Sequence, residues 1–365
     1  MFSKFICLFI LVNQLNSEYN LTELKMMHML FRHGDRTPFH FYPNDPFKDQ
    51  STWGASIGQL TNEGKRMGYE LGQWIREHYN DFLNKDYKKE EIYVRSTDVD
   101  RTIMTAQTLL AGLYPPHGDN IWNKDLAWQP IPVHVVPQAQ DILFAEDQPC
   151  PRIEQLDKEV KDSDYMKDEV YKANKDLFDY IPRSTGSNIT TVKELAAVYD
   201  TLLVETFHNK TLPEWTKSVF PQGKFDQLRK LSFIHDTYND EMKKLKAGPF
   251  LAEIVSHYKN LTSQGKKPEN LKKVYLYSVH DISITRVLNS LELYNNLPPP
   301  YASMIIFNLV DQGGMKVGIS YRNNTDTTPY SLALPGCDLL CPLEKFIKIT
   351  KKLWAGQWEE DCKVV

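Results

Sequence analysis

Met26-Met27-His28-Met29-Leu30-Phe31-Arg32-His33-Gly34-Asp35-Arg36-Thr37-Pro38 is the stretch on which the reading of this chain turns. Met26 to Phe31 is a short, mostly apolar run without polar alternation, the pattern of a strand buried on both faces. It ends at Arg32 and gives way to a loop containing Gly34. Downstream, Thr61-Asn62-Glu63 opens a helix whose apolar positions Met67, Leu71, Trp74 and Ile75 recur at i, i+4, i+7 and i+8. Glu91 to Arg95 reads as the next strand, and Thr97-Asp98-Val99-Asp100 as a variant capping box before a helix from Arg101 to Leu110. Strand, helix, strand, helix predicts an α/β fold with a mainly parallel sheet flanked by helices.

From Pro151 to Leu231 the texture changes to charged helical sequence, Arg152 to Asp179 and then Val192 to Phe207. Strand signals return at Lys273 to Val279, Ser303 to Val310 and Lys316 to Tyr321. Residues 18–150 and 232–365 are therefore expected to build one α/β core between them, with residues 151–231 as an inserted helical lobe.

The 365 residues carry a formal net charge of −4, with 41% hydrophobic and 25% charged positions. That is a globular balance, which excludes disordered and fibrous classes. Basic doublets such as Lys65-Arg66 and Lys272-Lys273 are scattered among carboxylates, so neither nucleic acid nor an anionic membrane is expected as a partner. At the N-terminus, Lys4, the apolar run Phe5 to Val12 and the small Ser17 read as a signal peptide over residues 1–17, and the mature chain is expected to be secreted. No membrane anchor is expected, because Met304 to Phe307 breaks at Asn308, far short of the roughly 20 apolar residues a span needs.

Cys7 leaves with the signal, and the four remaining cysteines allow three connectivities. The expected pairs are Cys337 with Cys341, across the turn-rich Gly336 to Pro342, and Cys150 with Cys362. The second closes a very long loop, worth about 5 kcal/mol in the chain-entropy model before strain. Glycosylation sequons at Asn20, Asn188, Asn209, Asn260 and Asn323 fit the same route.

Strands of a parallel sheet present ligand-binding groups at their C-terminal ends. Three such ends here read Arg32 to Pro38, Ser96-Thr97-Asp98-Val99-Asp100-Arg101-Thr102, and Ser278-Val279-His280-Asp281. Arg32, Arg36 and Arg101 offer planar donor forks that match phosphate oxygens, a cradle that needs neither metal nor other cofactor. His33, between Arg32 and Arg36, has its cationic form penalised by them, which favours the neutral imidazole of a nucleophile. Gly34 is expected to supply unusual backbone angles and close approach to an anion. His280 adds a donor, and Asp281 is the candidate acid for a leaving oxygen.

These residues resemble the histidine acid phosphatases, in particular the animal lysosomal and prostatic type. Arg32 to Pro38 is similar to that family's RHGxRxP signature, Ser96 to Thr102 to its STDVDRT segment, and His280-Asp281 to its HD dyad. Trp128 to His134, Pro299 to Ser303 and Leu334 to Cys337 extend the likeness over nearly the whole mature chain. The resemblance implies a phosphohistidine mechanism on small phosphomonoesters: His33 attacks phosphorus, Arg32, Arg36, Arg101 and His280 hold the oxygens, and Asp281 protonates the leaving alcohol. It implies a helical cap on the α/β domain, a homodimer, and lysosomal delivery as the alternative to secretion. Two departures are expected: a cysteine pair that the relatives carry in and after the cap is not found in this sequence, and the lysosomal type's C-terminal anchor is not expected here.

The same residues have other readings. Arg101 has Asp98 and Asp100 as neighbouring partners, and Asp281 suits a helix start. Gly54-Ala55-Ser56-Ile57-Gly58 fits the G-x-S-x-G pattern of serine hydrolases, but polar Lys48 to Ser51 precede it where a strand must lie. No metal site is expected from His28 and His33, whose odd spacing along a strand points them to opposite faces. Phytase activity, or a silent binding glycoprotein on the same scaffold, are the competing functions. A phytase pocket calls for extra Lys or Arg around the rim, which the sequence lacks, and every catalytic position of the motif is filled.

Overall fold

A computed structural model describes residues 19–144, 149–265, 267–323, 328–354 and 356–364. The expected signal segment, residues 1–17, lies outside the described residues. Eight strands form one sheet: β1 (Leu24–Arg32), β2 (Ile92–Thr97), β3 (His134–Val136), β4 (Val274–Val279), β5 (Met304–Asp311), β6 (Met315–Arg322), β7 (Tyr330–Leu332) and β8 (Leu340–Pro342). Their order is β3-β2-β4-β1-β5-β6-β7, with β8 also on β6. Both halves of the chain contribute, since β1 lies between β4 and β5.

The sheet is mixed. β3, β2, β4 and β1 run parallel, whereas β5 to β8 are joined by antiparallel pairings. The β5–β6 connection is a tight hairpin through Gly313 and Gly314, whose φ of 64° and 122° only glycine adopts freely. That turn sets β6 antiparallel to β5, which the strand signals alone did not reveal.

β1 is buried on both faces, as its unbroken run requires. Met27, Met29 and Phe31 pack under α1 (Asn62–His78) and α2 (Asp100–Leu113) through Leu71, Ile75, Leu109 and Leu110. Met26 and Leu30 join the opposite layer. Thr61 caps α1 by accepting from the Gly64 amide. The expected capping box before α2 does not form: the N-cap is Val99, without a side-chain cap. Thr97 is instead the last residue of β2, with Oγ1 2.8 Å from Thr102 Oγ1.

The helical stretch follows as α3 (Pro151–Lys161), a π-helical segment (Tyr165–Lys172), α4 (Lys175–Thr185), α5 (Val192–Phe207) and α6 (Lys224–His235). The helical sequence expected from Arg152 to Asp179 is divided into three segments, the first ending where Ser163 competes for the backbone, donating to Val160 O and accepting from the Met166 amide. α6 runs through Leu231, so the boundary drawn there falls inside a helix. These helices share a third core around Leu195, Val198, Leu202 and Phe225, which also takes in Tyr42 and Trp358. α7 (Asp240–Lys246) leads to α8 (Gly248–Thr262) and α9 (Asp281–Ser290); α8 and α9 pack in the layer of Met26 and Leu30 through Phe250, Ile254 and Ile284. The disulfides Cys150–Cys362 and Cys337–Cys341 both form, with Cα separations of 5.0 and 5.2 Å. No described helix is long and apolar enough to cross a membrane.

Candidate active site

The C-terminal ends of β1, β2 and β4 meet at one rim of the sheet. β1 ends at Arg32 and the loop carries His33 and Arg36; α2 starts after β2 with Arg101 in its first turn; His280 caps α9 after β4, with Asp281 its first residue. The structure brings all six expected residues together. His33 is fixed by its amide donating to Val279 O (3.0 Å) and by Nδ1 lying 2.8 Å from Gly34 O. A carbonyl only accepts, so Nδ1 carries the proton and Nε2 keeps its lone pair. Arg101 Nε donates to that lone pair at 3.2 Å, and Arg101 Nη2 lies 3.3 Å from His280 Nδ1. Arg101 thus reaches across both imidazoles rather than serving only its own helix start.

Burial, and then Arg101, Arg32, His280 and Arg36, hold the His33 pKa well below its ordinary value. Burial and Arg101 push His280 down to about 3. Burial and the surrounding cations thus favour the neutral form of both rings. Gly34 has a different task from the one expected. It is not among the positive-φ glycines, but a Cβ there would lie 2.2 Å from Gly64 O, so it lets the motif loop press on the start of α1.

Arg32 and Arg36 are held by their outer nitrogens. Arg32 donates from Nη1 to Pro299 O (2.8 Å) and pairs through Nη2 with Asp281 Oδ2 (2.7 Å). Arg36 grips both oxygens of Asp200 through Nη2 (2.9 and 3.1 Å). The Nε atoms of both are buried without a hydrogen-bond partner among the described residues. Buried N–H groups are costly to leave unpaired. Two such cationic donors near a neutral imidazole make a site for a tetrahedral oxyanion. Burial raises the Asp281 pKa, but Arg32, Arg36 and His280 outweigh it and leave the group below the ordinary carboxylate range.

Three groups escaped the sequence reading. Asp200 comes from α5, and no local pattern on that helix marks it. The Tyr301 ring lies under Arg32, 4.2 Å from the guanidinium carbon. Thr97 Oγ1 lies 3.1 Å from His280 Nε2 and fixes that ring. Thr97 and Tyr301 both fall inside motifs read for other reasons; only the fold shows what they touch. The His117-Gly118-Asp119 triplet, which repeats three letters of the motif, is set apart with His117 Nε2 3.3 Å from Asp86.

Residues 23–328 match the family model for the histidine phosphatase superfamily, branch 2. The chain belongs to this superfamily. Within it, the chain is 40% identical to prostatic acid phosphatase of Bos taurus, over 94% of this chain and 88% of that protein. It is 39% identical to human lysosomal acid phosphatase, over 93% of this chain and 80% of the relative. Among solved structures it is similar in fold to Hafnia alvei phytase in complex with myo-inositol hexakis sulphate, with a TM-score of 0.68, 17% identity, and coverage of 94% and 99% of the two chains. The histidine phosphatase match runs from β1 through β6 and includes the helical stretch between, so all three motifs lie within it.

Proposed function

We propose that this chain is a secreted acid phosphatase that hydrolyses phosphate monoesters through a phosphohistidine on His33. The observation that carries the reading is the His33 ring: Nδ1 against Gly34 O, and Nε2 presented as a neutral base beside Arg101. In the reaction, Nε2 attacks phosphorus in line, and the P–O bond to the leaving group breaks. Arg32, Arg36, Arg101 and His280 bear the charge on the three equatorial oxygens. Asp281 gives the leaving oxygen its proton. It acquires that proton when the phosphate dianion draws Arg32 away from the ion pair, since loss of the cation raises the carboxyl pKa. Water then attacks phosphorus, giving a proton to the Asp281 carboxylate, and the bond from phosphorus to His33 Nε2 breaks to release phosphate.

The helical stretch 151–231 acts as a cap in this reading, a role supported by Asp200 of α5 reaching Arg36. The names of the relatives, two disulfides and exposed sequons at Asn20, Asn188 and Asn209 support export, with lysosomal delivery as the alternative. Homodimerisation belongs to the same proposal and is read by light scattering. The test of function is kcat/KM across pH for an aryl phosphate, an alkyl phosphate and phytate. Efficient acid hydrolysis of the first two supports the reading; preference for phytate replaces it with a phytase, and no hydrolysis of any overturns it.

A further inference from the structure

At the other end of the same strands is a pocket of about 390 Å³ that the phosphatase reading does not use. The volume lies within the roughly 300–1,000 Å³ of small-molecule sites. One wall is a single face of α8, where Glu253, Ser256, His257 and Asn260 recur at helical spacing. The other is aromatic, formed by Tyr93 of β2 and Tyr275 near the start of β4. His257 and Tyr275 stack with ring centroids 4.1 Å apart, and Tyr93 lies 6.1 Å from Tyr275. Asn260 heads the sequon Asn260-Leu261-Thr262 and is half-buried, as is Asn323, while Asn20, Asn188 and Asn209 are exposed.

We infer that this pocket holds the first N-acetylglucosamine of a glycan carried on Asn260, so that the chain supplies the pocket's ligand itself. A pyranose has an apolar C–H face and a polar edge. Rings that are apolar in body and polar at the tip suit the first, and Glu253, Ser256 and Lys272 on the lining offer partners for hydroxyl and acetamido groups. The tether starts on the pocket's own lining, so the sugar needs no affinity of its own to be present at high local concentration. Attachment replaces one hydrogen on Asn260 Nδ2 by sugar C1, with a lipid diphosphate leaving from a lipid-linked oligosaccharide donor and the proton going to solvent. The inference is independent of the catalytic reading.

The test uses the full chain secreted from glycosylating cells. Peptide mapping should find Asn260 occupied. On the folded protein, peptide N-glycosidase should release this glycan at least tenfold more slowly than in Tyr93→Ser, which opens the aromatic wall. Amides of Leu271 to Lys273 should exchange several-fold faster in Asn260→Gln and Thr262→Ala, which lose the sequon, while Thr262→Ser, which keeps it, matches the parent. This exchange comparison stands even if Tyr93→Ser does not fold. An unoccupied Asn260, release within twofold of Tyr93→Ser, or exchange unchanged on losing the sequon overturns the inference.

Discussion

Arg36 Nη2 lies 2.9 Å from Asp200 Oδ2, and this ion pair ties the anion cradle on the sheet to α5 of the helical stretch 164 positions away. Arg36 is buried, and its guanidinium also donates from Nη1 to Thr37 O (3.2 Å) and lies 4.7 Å over the Phe39 ring. In the proposed mechanism the pair sets which edge of Arg36 faces the phosphate.

Asp200→Ala should therefore lower kcat/KM about tenfold, or ~1.4 kcal/mol of transition-state stabilisation, through a guanidinium that is present but no longer aimed. Asp200→Asn, which keeps an acceptor oxygen, should lose less. Steady-state kinetics with phosphate as inhibitor checks this; unchanged constants in Asp200→Ala would make the pair a bystander.

Arg101 is the largest charge-based cause of the depressed His33 pKa, after burial. Removing it raises that pKa, so the neutral ring is lost at higher pH. In Arg101→Ala the acid limb of the kcat/KM profile should shift upward, along with weaker inhibition by phosphate and vanadate. Arg101→Lys retains the charge and should restore the limb more than it restores kcat. A limb that stays in place in Arg101→Ala would contradict the electrostatic account.

Asp281→Asn should discriminate between leaving groups. Alkyl phosphates release a basic alkoxide and should lose on the order of 10² to 10⁴ in kcat/KM, the usual worth of general acid catalysis. Nitrophenyl phosphate releases a stabilised phenolate and should lose distinctly less. Equal losses would mean that Asp281 only orients Arg32 and His280.

The stability of the fold should fall on the alkaline side through a pair outside the site. Glu205 of α5 and Asp45 are buried carboxyls, and burial followed by Asp45 pushes Glu205 up to about 9. The folded state holds a proton here that the unfolded chain releases near its ordinary value. The pair's contribution is thus full at acid pH and is lost as pH rises toward 9. The parent's Tm should drop between pH 5 and 9, and Glu205→Gln, which needs no proton, should flatten that drop. Parallel curves would show that the pair does not share a proton.

Much of this was legible in the sequence because its carriers are contiguous. The run from Met26 to Arg32 has no polar alternation and became a doubly buried strand, and Val192 to Phe207 became α5 with those bounds. The six candidate residues fall in three short motifs, each at a strand end, so locating the strands was enough to bring them to one rim of the sheet. What remained hidden was tertiary. The partnership of Asp200 with Arg36 exists only once α5 is docked, and the role of Gly34 only once Gly64 lies against it. The break at Ser163 was invisible to periodicity because a hydroxyl competing for the backbone leaves the apolar spacing intact.

In the proposed reaction His33 Nε2 forms a bond to phosphorus. Rapid mixing with a phosphomonoester labelled in the phosphate, followed by quenching in alkali, which preserves a phosphorus–nitrogen bond, tests it most directly. The account predicts label on the peptide containing His33, discharged by acid, and neither label nor turnover in a folded His33→Ala variant. Turnover retained in that variant, or label on another residue, would contradict it.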